Sequence, residues 1–298
     1  MRLRIFILVS LLGGLSVAQN KQLLYGFNEI PQSLMVNPGE ETRLERHFGI
    51  PLFSQIHLNG GSSGVSVYDI FADDGGDINQ RIGQKIIELS ADDFFTATQQ
   101  LELISFGWRN SKDFYFSGGI YQEMDFVAYF PRDLAILAWE GNQNYLDYAF
   151  DLGQVSAAAD LITVYHFGVN KKVDKRWTLG GRVKLYSGVI NVRSTSNSGT
   201  FTTRVAPEGS ENIYQHTVQD ADVRVNTSGI VDLDEGGASK VLGRAIFSGN
   251  MGLGVDIGAT YRIDARTNIT ASMLDVGAIV YSTNNESYRA RGSYTLNG

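Results

Sequence analysis

Histidine is the residue type through which this chain would most directly carry out acid–base or metal chemistry, and the chain has four: His47, His57, His166 and His216. A zinc hydrolase places two His four residues apart on one helix, and none of these four has that spacing. The chain has no Cys, which excludes thiolate nucleophiles and Cys-ligated zinc or iron–sulfur sites. We therefore predict a protein that is not an enzyme, with no catalytic residue, no metal and no cofactor.

Two acidic runs raise the question of calcium binding. The first contains Asp69, Asp73, Asp74 and Asp77, and the second is residues 232–235. Calcium loops of the EF-hand type follow the order D-x-D-x-D-G with a Glu at position twelve, and neither run has this order. We expect both runs to be solvated loops.

A run of glycines at Gly252, Gly254 and Gly258 superficially resembles a dinucleotide-binding fingerprint. The fingerprint G-x-G-x-x-G has a different spacing and opens a helix after a strand. Here the glycines lie within a strictly alternating stretch, so we interpret them as small residues on a crowded inner face of a strand.

Charged residues on the polar side of the alternating stretches form the most informative group. If the strands close into a barrel, these side chains project into the lumen, where a charge is costly unless it is paired or hydrated. They either line a solute path or form a structural ion-pair network, and we favour the network because it needs no ligand. The candidate lumen-facing residues are Asp160, Arg182, Lys184, Asp256 and Arg262.

In the stretches of sequence that must position these charges, apolar and polar residues alternate with a period of two. Residues 161–169, a turn at 170–176 and residues 177–189 predict one hairpin, and 251–263, a turn at 264–268 and 269–281 predict another, with a further strand at 288–296. Thirteen alternating residues in 251–263 exceed the usual soluble strand of about five or six. An apolar face opposite a polar, glycine-rich face predicts an all-β fold, a transmembrane antiparallel β-barrel. A secreted β-sandwich remains the alternative, because its strands alternate too.

The first half of the chain predicts strands interrupted by short helices. Residues 48–58 alternate, Asn59-Gly60-Gly61 predicts a turn, and 101–108 with 114–121 predict a hairpin. Isoleucines at spacing four over 78–86 predict a helix, and 131–137 predicts a second one that begins with proline. Ser90-Ala91-Asp92-Asp93 resembles a helix N-cap. We expect these helices to be loop or plug insertions, and residues 191–243 to form a long polar loop.

The N-terminus has the three parts of a secretory signal peptide over residues 1–18. Met1–Arg4 is positively charged, 5–15 is apolar, and Ser16-Val17-Ala18 is a small-residue cleavage site. The apolar run is too short to span a bilayer, which takes about 20 residues. The mean hydropathy of −0.11 excludes a helical membrane bundle, and the net charge of −7 argues against nucleic acid as a partner. We predict an exported protein.

Five short motifs occur in order along the chain, and together they resemble a known group of proteins. They are Asn37-Pro38-Gly39, Phe48–Leu52, Phe106–Arg109, Gly180–Gly188 and Leu274–Ile279. The set resembles an uncharacterised Bacteroidota outer-membrane β-barrel family, distantly similar to FadL-like fatty-acid transporters and to the PorV-type barrels of type IX secretion. The resemblance covers almost all of the mature chain. It implies a barrel over 47–298, with the N-terminal segment 19–46 inside or beneath it.

Two departures from that family concern the third motif residue and the C-terminus. Gly39 stands where Ala is usual, and the family's strands normally continue past Leu274–Ile279, whereas this chain ends at Asn297-Gly298. The resemblance therefore implies either a barrel that is incomplete at the C-terminus or one smaller than its relatives.

The resemblance implies a location in the bacterial outer membrane, with outer-membrane lipid as one partner. The first function it implies is transport or binding of hydrophobic small molecules, as in FadL-like barrels. The alternative is a non-transporting accessory barrel that binds a protein of secretion or surface assembly, as in PorV-like barrels. The residues alone also leave open a secreted β-sandwich adhesin.

Overall fold

The computed structural model describes residues 22–51, 53–230 and 237–297. The signal peptide predicted at 1–18 and the second acidic run at 232–235 lie outside these described residues. No helix in the described ranges has the length and apolar composition needed to cross a membrane.

Twelve antiparallel strands in the described residues form one curled half-barrel sheet. They are β1 (Arg46–Gly49), β2 (Ile56–Ser62), β3 (Phe94–Arg109), β4 (Phe114–Tyr129), β5 (Ala149–Asp151), β6 (Ser156–Lys172), β7 (Trp177–Ser196), β8 (Thr200–Val205), β9 (Tyr214–Ser228), β10 (Met251–Arg262), β11 (Asn268–Ile279) and β12 (Asn285–Asn297). The helices are α1 (Ser33–Val36), α2 (Val67–Phe71), α3 (Ile78–Glu88), α4 (Arg132–Trp139) and α5 (Gly237–Ile246), preceded by a 3₁₀ turn at Gln22–Leu24.

Several strands share one position in the sheet. β1 and β2 pair with successive stretches of β3, and β4, β6 and β7 follow in order. On the far side of β7, β10 pairs with 177–187 and β9 pairs with 191–196, while β11 and β12 extend the sheet beyond them. Among the described strands the two outer positions, β1 with β2 and β11 with β12, do not pair with each other. The sheet is therefore open along one side.

The two ends of the sheet differ. At one end, which we call the turn end, short turns at 110–113, 173–176 and 263–267 join neighbouring strands. At the opposite end, which we call the helical end, the connections 63–93, 130–155 and 197–213 are longer, and the first two hold α2, α3 and α4. At this end α3 packs against α4 around a small core of Ile86, Ala135, Ile136 and Phe150. The predicted helices and hairpins at 78–86, 131–137, 101–121, 161–189 and 251–281 are confirmed.

Some local predictions are wrong. The turn predicted at Asn59-Gly60-Gly61 is part of β2, where all three residues pair with β3. The Ser90–Asp93 pattern caps no helix: Asp93 accepts the Ser90 backbone N–H (2.7 Å) in a turn that leads into β3. The same pattern at Ser66–Asp69 is a true capping box on α2, which was not predicted. The stretch 191–243 holds the end of β7, β8, β9 and part of α5, so it is not one long loop.

The two faces of the sheet have opposite polarity. On β7, Leu179, Val183 and Leu185 are exposed, while Arg182 and Lys184 between them are buried. β10 repeats the pattern, because its apolar side chains at 253, 255 and 257 are exposed and its residues at 252, 254 and 256 are buried. We call the buried polar side the inner face and the exposed apolar side the outer face.

Candidate functional site

The inner face is covered by the chain's own N-terminal segment, residues 33–42, which we call the docked segment. It begins with the single helical turn α1, whose four residues are all buried. The hydroxyl of Ser33 donates to the carbonyl of Ile30 (2.9 Å), which holds this turn against the residues before it. Because α1 is too short to be stable by itself, its conformation depends on the sheet beneath it.

Asn37-Pro38-Gly39 crosses the sheet where two sheet residues, Gly180 and Gly258, lack side chains. The Asn37 amide donates to the Thr260 hydroxyl (3.2 Å), and its oxygen accepts the Gly39 backbone N–H (2.9 Å). A Cβ on Gly39 would collide with the backbone of Gly258, and a Cβ on Gly258 would collide with the Asn37 side-chain oxygen. The backbones approach so closely that position 39 has no room for a side chain.

Side chains of the sheet bind the carbonyl groups of the docked segment. The amide of Asn170 donates to the carbonyls of Pro38 (2.7 Å) and Glu40 (2.9 Å). The hydroxyl of Ser272 donates to the carbonyl of Val36 (2.8 Å). These bonds satisfy backbone groups that would otherwise be buried without partners, so the segment fits this face specifically.

An ion-pair network lies under α1, in which Arg182, Lys184 and Asp256 are buried and Asp275 is partly exposed. Arg182 Nε donates to Asp256 Oδ2 (2.6 Å), and Lys184 Nζ lies 3.0 Å from the same oxygen. Lys184 also pairs with Asp275, whose backbone N–H donates to Asp256 Oδ1 (2.7 Å). The guanidinium of Arg182 reaches the carbonyl of Met35 (3.0 Å). Two cations and two carboxylates therefore balance on the inner face and tie the sheet to the docked segment.

The other predicted lumen-facing residues, Asp160 and Arg262, lie apart from this network. Arg262 pairs with Glu41 near the turn end, and Lys172 donates to the same carboxylate (2.6 Å). Burial by itself would raise the pKa of Glu41, but the hydrogen bond and charge of Lys172, with the charge of Arg262, outweigh it and lower the pKa. The five predicted residues thus fall into three clusters along the inner face.

Asp160 belongs to the third cluster, toward the helical end. Its carboxylate accepts from the amide of Asn191 (2.5 Å), from Arg193 (3.1 Å) and from the hydroxyl of Tyr281 (3.1 Å). This cluster joins β6, β7 and the segment after β11. None of these bonds reaches the docked segment.

Sequence reasoning missed Asp275 and Asn170. Asp275 has a φ of 56° at a β-bulge opposite Asp256, and this bulge turns its carboxylate toward Lys184. The sequence signal for this bulge was a break in the alternation. The exposed apolar residues are 269, 271 and 273, and the next one is 276 instead of 275. Asn170 was assigned to a turn, whereas it lies within β6.

One catalytic pattern also escaped the sequence reading. Gly60-Gly61-Ser62-Ser63-Gly64 has the Gly-x-Ser-x-Gly spacing of a hydrolase nucleophile elbow. In the structure the hydroxyl of Ser62 donates to the carbonyl of Ser63 (2.9 Å), and the hydroxyl of Ser63 donates to Asp93 (2.8 Å). Neither bond involves a histidine, so the pattern forms a loop contact and not a nucleophile with its base.

Histidines and acidic residues do not converge on a metal-binding group within the described residues. His47 Nδ1 lies 2.5 Å from the Tyr115 hydroxyl, and His166 packs against the ring of Tyr121. In the first acidic run, Asp69 caps α2 and Asp77 caps α3. These contacts are structural.

The outer face carries a continuous apolar surface, which we call the belt, formed by Leu179, Val183, Leu185, Leu253, Val255, Ile257, Met273 and Val276, all at least 37% exposed. At the turn end it is bordered by aromatic rings. Trp108 stacks on Phe116 (5.3 Å between centroids), Phe116 on Phe167 (6.1 Å), and Trp177 lies 4.7 Å from Tyr261. An exposed apolar surface of this extent needs an apolar surrounding or a partner.

Comparison with known proteins adds one finding. The model of a family of unknown function, DUF5723, matches residues 38–298. No curated protein and no solved structure matches the chain.

Proposed function

Because this chain belongs to the DUF5723 family, whose description assigns no activity, we propose its function from the geometry of its two faces. The protein is an integral outer-membrane protein of β-barrel type and not an enzyme. The docked segment fills its interior, and its helical end binds a protein of secretion or surface assembly.

The polarity of the sheet carries the membrane assignment. In water a sheet buries its apolar face, whereas here Val183 and Val255 are exposed and Arg182 and Asp256 are buried. That arrangement is stable when the outer face contacts hydrocarbon, and strands cross hydrocarbon within a barrel. A β-sandwich, the alternative fold that the sequence left open, would bury these apolar side chains between two sheets.

The height of the belt agrees with this assignment. From Trp177 to Leu185 are eight steps of about 3.3 Å, about 26 Å along the strand and about 20 Å along the axis of a barrel whose strands tilt by about 40°. The apolar band of outer-membrane barrels is about 25 Å tall and is bordered by aromatic residues. Short turns are typical of the periplasmic side of such barrels, which supports an orientation with the helical end at the cell exterior.

The filled inner face favours an accessory role over transport of a hydrophobic molecule. Such a molecule needs an apolar path, but the inner face presents the ion-pair network and polar backbone of the docked segment. A cavity between Leu34, Pro38, Asn170 and Arg182 measures about 10 Å³, which is the room of a single water molecule.

An exposed apolar cluster at the helical end supports a protein partner. Val67, Tyr68 and Phe71 of α2 are each at least 67% exposed. An ion pair between Asp69 and Lys85 (3.3 Å) ties α2 to α3, so the cluster is held in place. Clustered exposed aromatic and aliphatic side chains are typical of protein contact sites.

Single-cysteine labelling tests the membrane assignment, since the chain has no native Cys. In outer-membrane vesicles, Val255→Cys is expected to resist a membrane-impermeant maleimide, and Glu208→Cys, in an exposed loop at the helical end, is expected to react. Rapid labelling at 255 would refute the assignment. Heat-modifiability on an unboiled gel tests independently for a folded barrel.

Photo-cross-linking tests the partner. Phe71→benzoylphenylalanine is expected to cross-link a protein in intact cells, and Lys112→benzoylphenylalanine at the turn end is the control. Cross-linking to lipid alone, or equally from both positions, would contradict the accessory role while leaving the membrane assignment intact.

A further inference from the structure

Helix α5 lies on the outer face of the sheet, unlike α1. The hydroxyl of Thr163 on β6 donates to the carbonyl of Ala245 (2.5 Å), and the hydroxyl of Tyr165 donates to the carbonyl of Ile246. Two carbonyls at the C-terminal end of the helix, which have no partner within it, are thereby satisfied. This end of α5 is fixed to the wall.

Contacts with β7 fix the same end a second time. Arg244 Nε donates to the carbonyl of Val189 (2.9 Å), and the backbone N–H of Ser248 donates to the hydroxyl of Ser187 (2.9 Å). Arg244 is buried. The orientation of the helix about its axis is therefore determined by the wall.

This orientation leaves large apolar side chains uncovered. Leu242 and Ile246 are 63% and 55% exposed, and Phe247, directly after the helix, is 59% exposed. Residues 242 and 246 are four apart, so they share one side of the helix. The described residues of the chain do not cover this side.

The exposed side continues the belt. At the limit of the belt that lies toward the helical end, Leu185 pairs directly with Leu253. Ser187 is the next residue of β7 on the outer face. Because the Ser187 hydroxyl binds the backbone N–H of Ser248, the C-terminal end of α5 lies directly next to the limit of the belt. Beyond the belt the outer face becomes polar, with hydroxyls at Thr163 and Ser187.

We propose that α5 with Phe247 is an interfacial anchor that lies in the outer-leaflet lipid at the boundary between headgroups and acyl chains. Lipid is the occupant because the apolar side is continuous with a lipid-facing surface, and because the helix GASKVLGRAI has an exposed basic residue, Lys240, and no acidic residue. Amphipathic helices with basic residues bind this boundary of anionic membranes. The inference rests on the proposed function and adds a second, non-strand contact with lipid.

Spin-label accessibility tests the anchor in the full chain reconstituted in liposomes that contain anionic lipid. Single cysteines at Ile246 and Phe247 are labelled with a nitroxide, and collisions with oxygen, which is enriched in lipid, are compared with collisions with a water-soluble nickel chelate. Ile257→Cys in the belt and Glu208→Cys in an exposed loop are the lipid and water references. The oxygen-to-nickel ratio at 246 and 247 is expected to be several-fold above that at 208 and below that at 257.

The outcomes separate the anchor from the membrane assignment. A water-like ratio at 257 would overturn both. A lipid-like ratio at 257 with a water-like ratio at 246 and 247 would overturn the anchor alone. Protection of 246 and 247 from both reagents would show that protein covers α5, which also overturns the anchor.

Discussion

The side-chain oxygen of Asn37 occupies the place where a Cβ on Gly258 would stand, although 220 residues separate the two along the chain. This contact, with those of Gly39 and Gly180, makes the fit between the docked segment and the sheet a matter of backbone surfaces. Side-chain size at these positions therefore controls whether the segment can dock.

Adjacent glycines on β7 provide a matched test of this fit. A Cβ on Gly180 would collide with the carbonyl of Pro38, whereas a Cβ on Gly181 would meet only an ordinary contact at 3.6 Å. We expect Gly180→Ala to lower the free energy of unfolding by about 1–3 kcal/mol through overpacking and to expose residues 33–42 to protease. Gly181→Ala should leave both unchanged. Urea midpoints of the heat-modifiable band and limited proteolysis measure the two effects, and equal behaviour of the two variants would contradict the docking.

Removing one member of the buried network should be costly. Asp256 is 1% exposed and serves both Arg182 and Lys184. We expect Asp256→Asn to lower the free energy of unfolding by about 3–5 kcal/mol, because it leaves excess positive charge without a counterion. Arg43→Ala breaks a largely exposed pair with Glu29 and is the control, for which we expect no resolvable change. The urea midpoints of the two variants measure this difference. Similar midpoints for both would show that the network does not stabilise the fold.

The hairpins were predictable because period-two alternation and the turns that end it are local patterns. β8 and β9 could not be predicted from the sequence, because strands beyond the belt need no apolar face. Polar residues such as Thr217, Asp220 and Asp222 give 214–228 the composition of a loop. The helix at 67–71 was hidden because it is too short to show a period. Only its capping box, Ser66 with Asp69, marks it.

The candidate site was predictable in its polarity and not in its contacts. Alternation placed Arg182, Lys184 and Asp256 on one polar face, but their partner Asp275 depends on a bulge that shifts the parity of β11. The bonds from Asn170 to the docked segment join residues 130 and more positions apart. No local pattern encodes such a separation.

Glu40 and Glu41 should respond to pH with opposite signs. Burial raises the pKa of Glu40 above 4.5, so the folded state binds the proton more tightly and loses stability as pH rises through this pKa. The pKa of Glu41 is lowered below 4.5, so its stabilisation is present above that value and is lost as pH falls. We expect Glu40→Gln to stabilise the protein at pH 7 and Glu41→Gln to destabilise it. Urea midpoints at pH 4 and 7 measure both, and changes of the same sign at pH 7 would contradict this account.

The depth dependence of a charge on the outer face provides the most direct energetic test of the belt. Ile257 pairs with Gly181 in the middle of the belt, whereas Ile263 is the first residue of the turn that follows β10, and both are exposed. Arginine on the lipid face of a barrel costs about 2–4 kcal/mol at the midplane and about 0–1 kcal/mol near the interface. We therefore expect Ile257→Arg to lower the free energy of unfolding from liposomes far more than Ile263→Arg. In water the same two substitutions would replace exposed apolar side chains and have little effect at either position. Equal, small changes in the urea midpoint would thus show that the outer face contacts water.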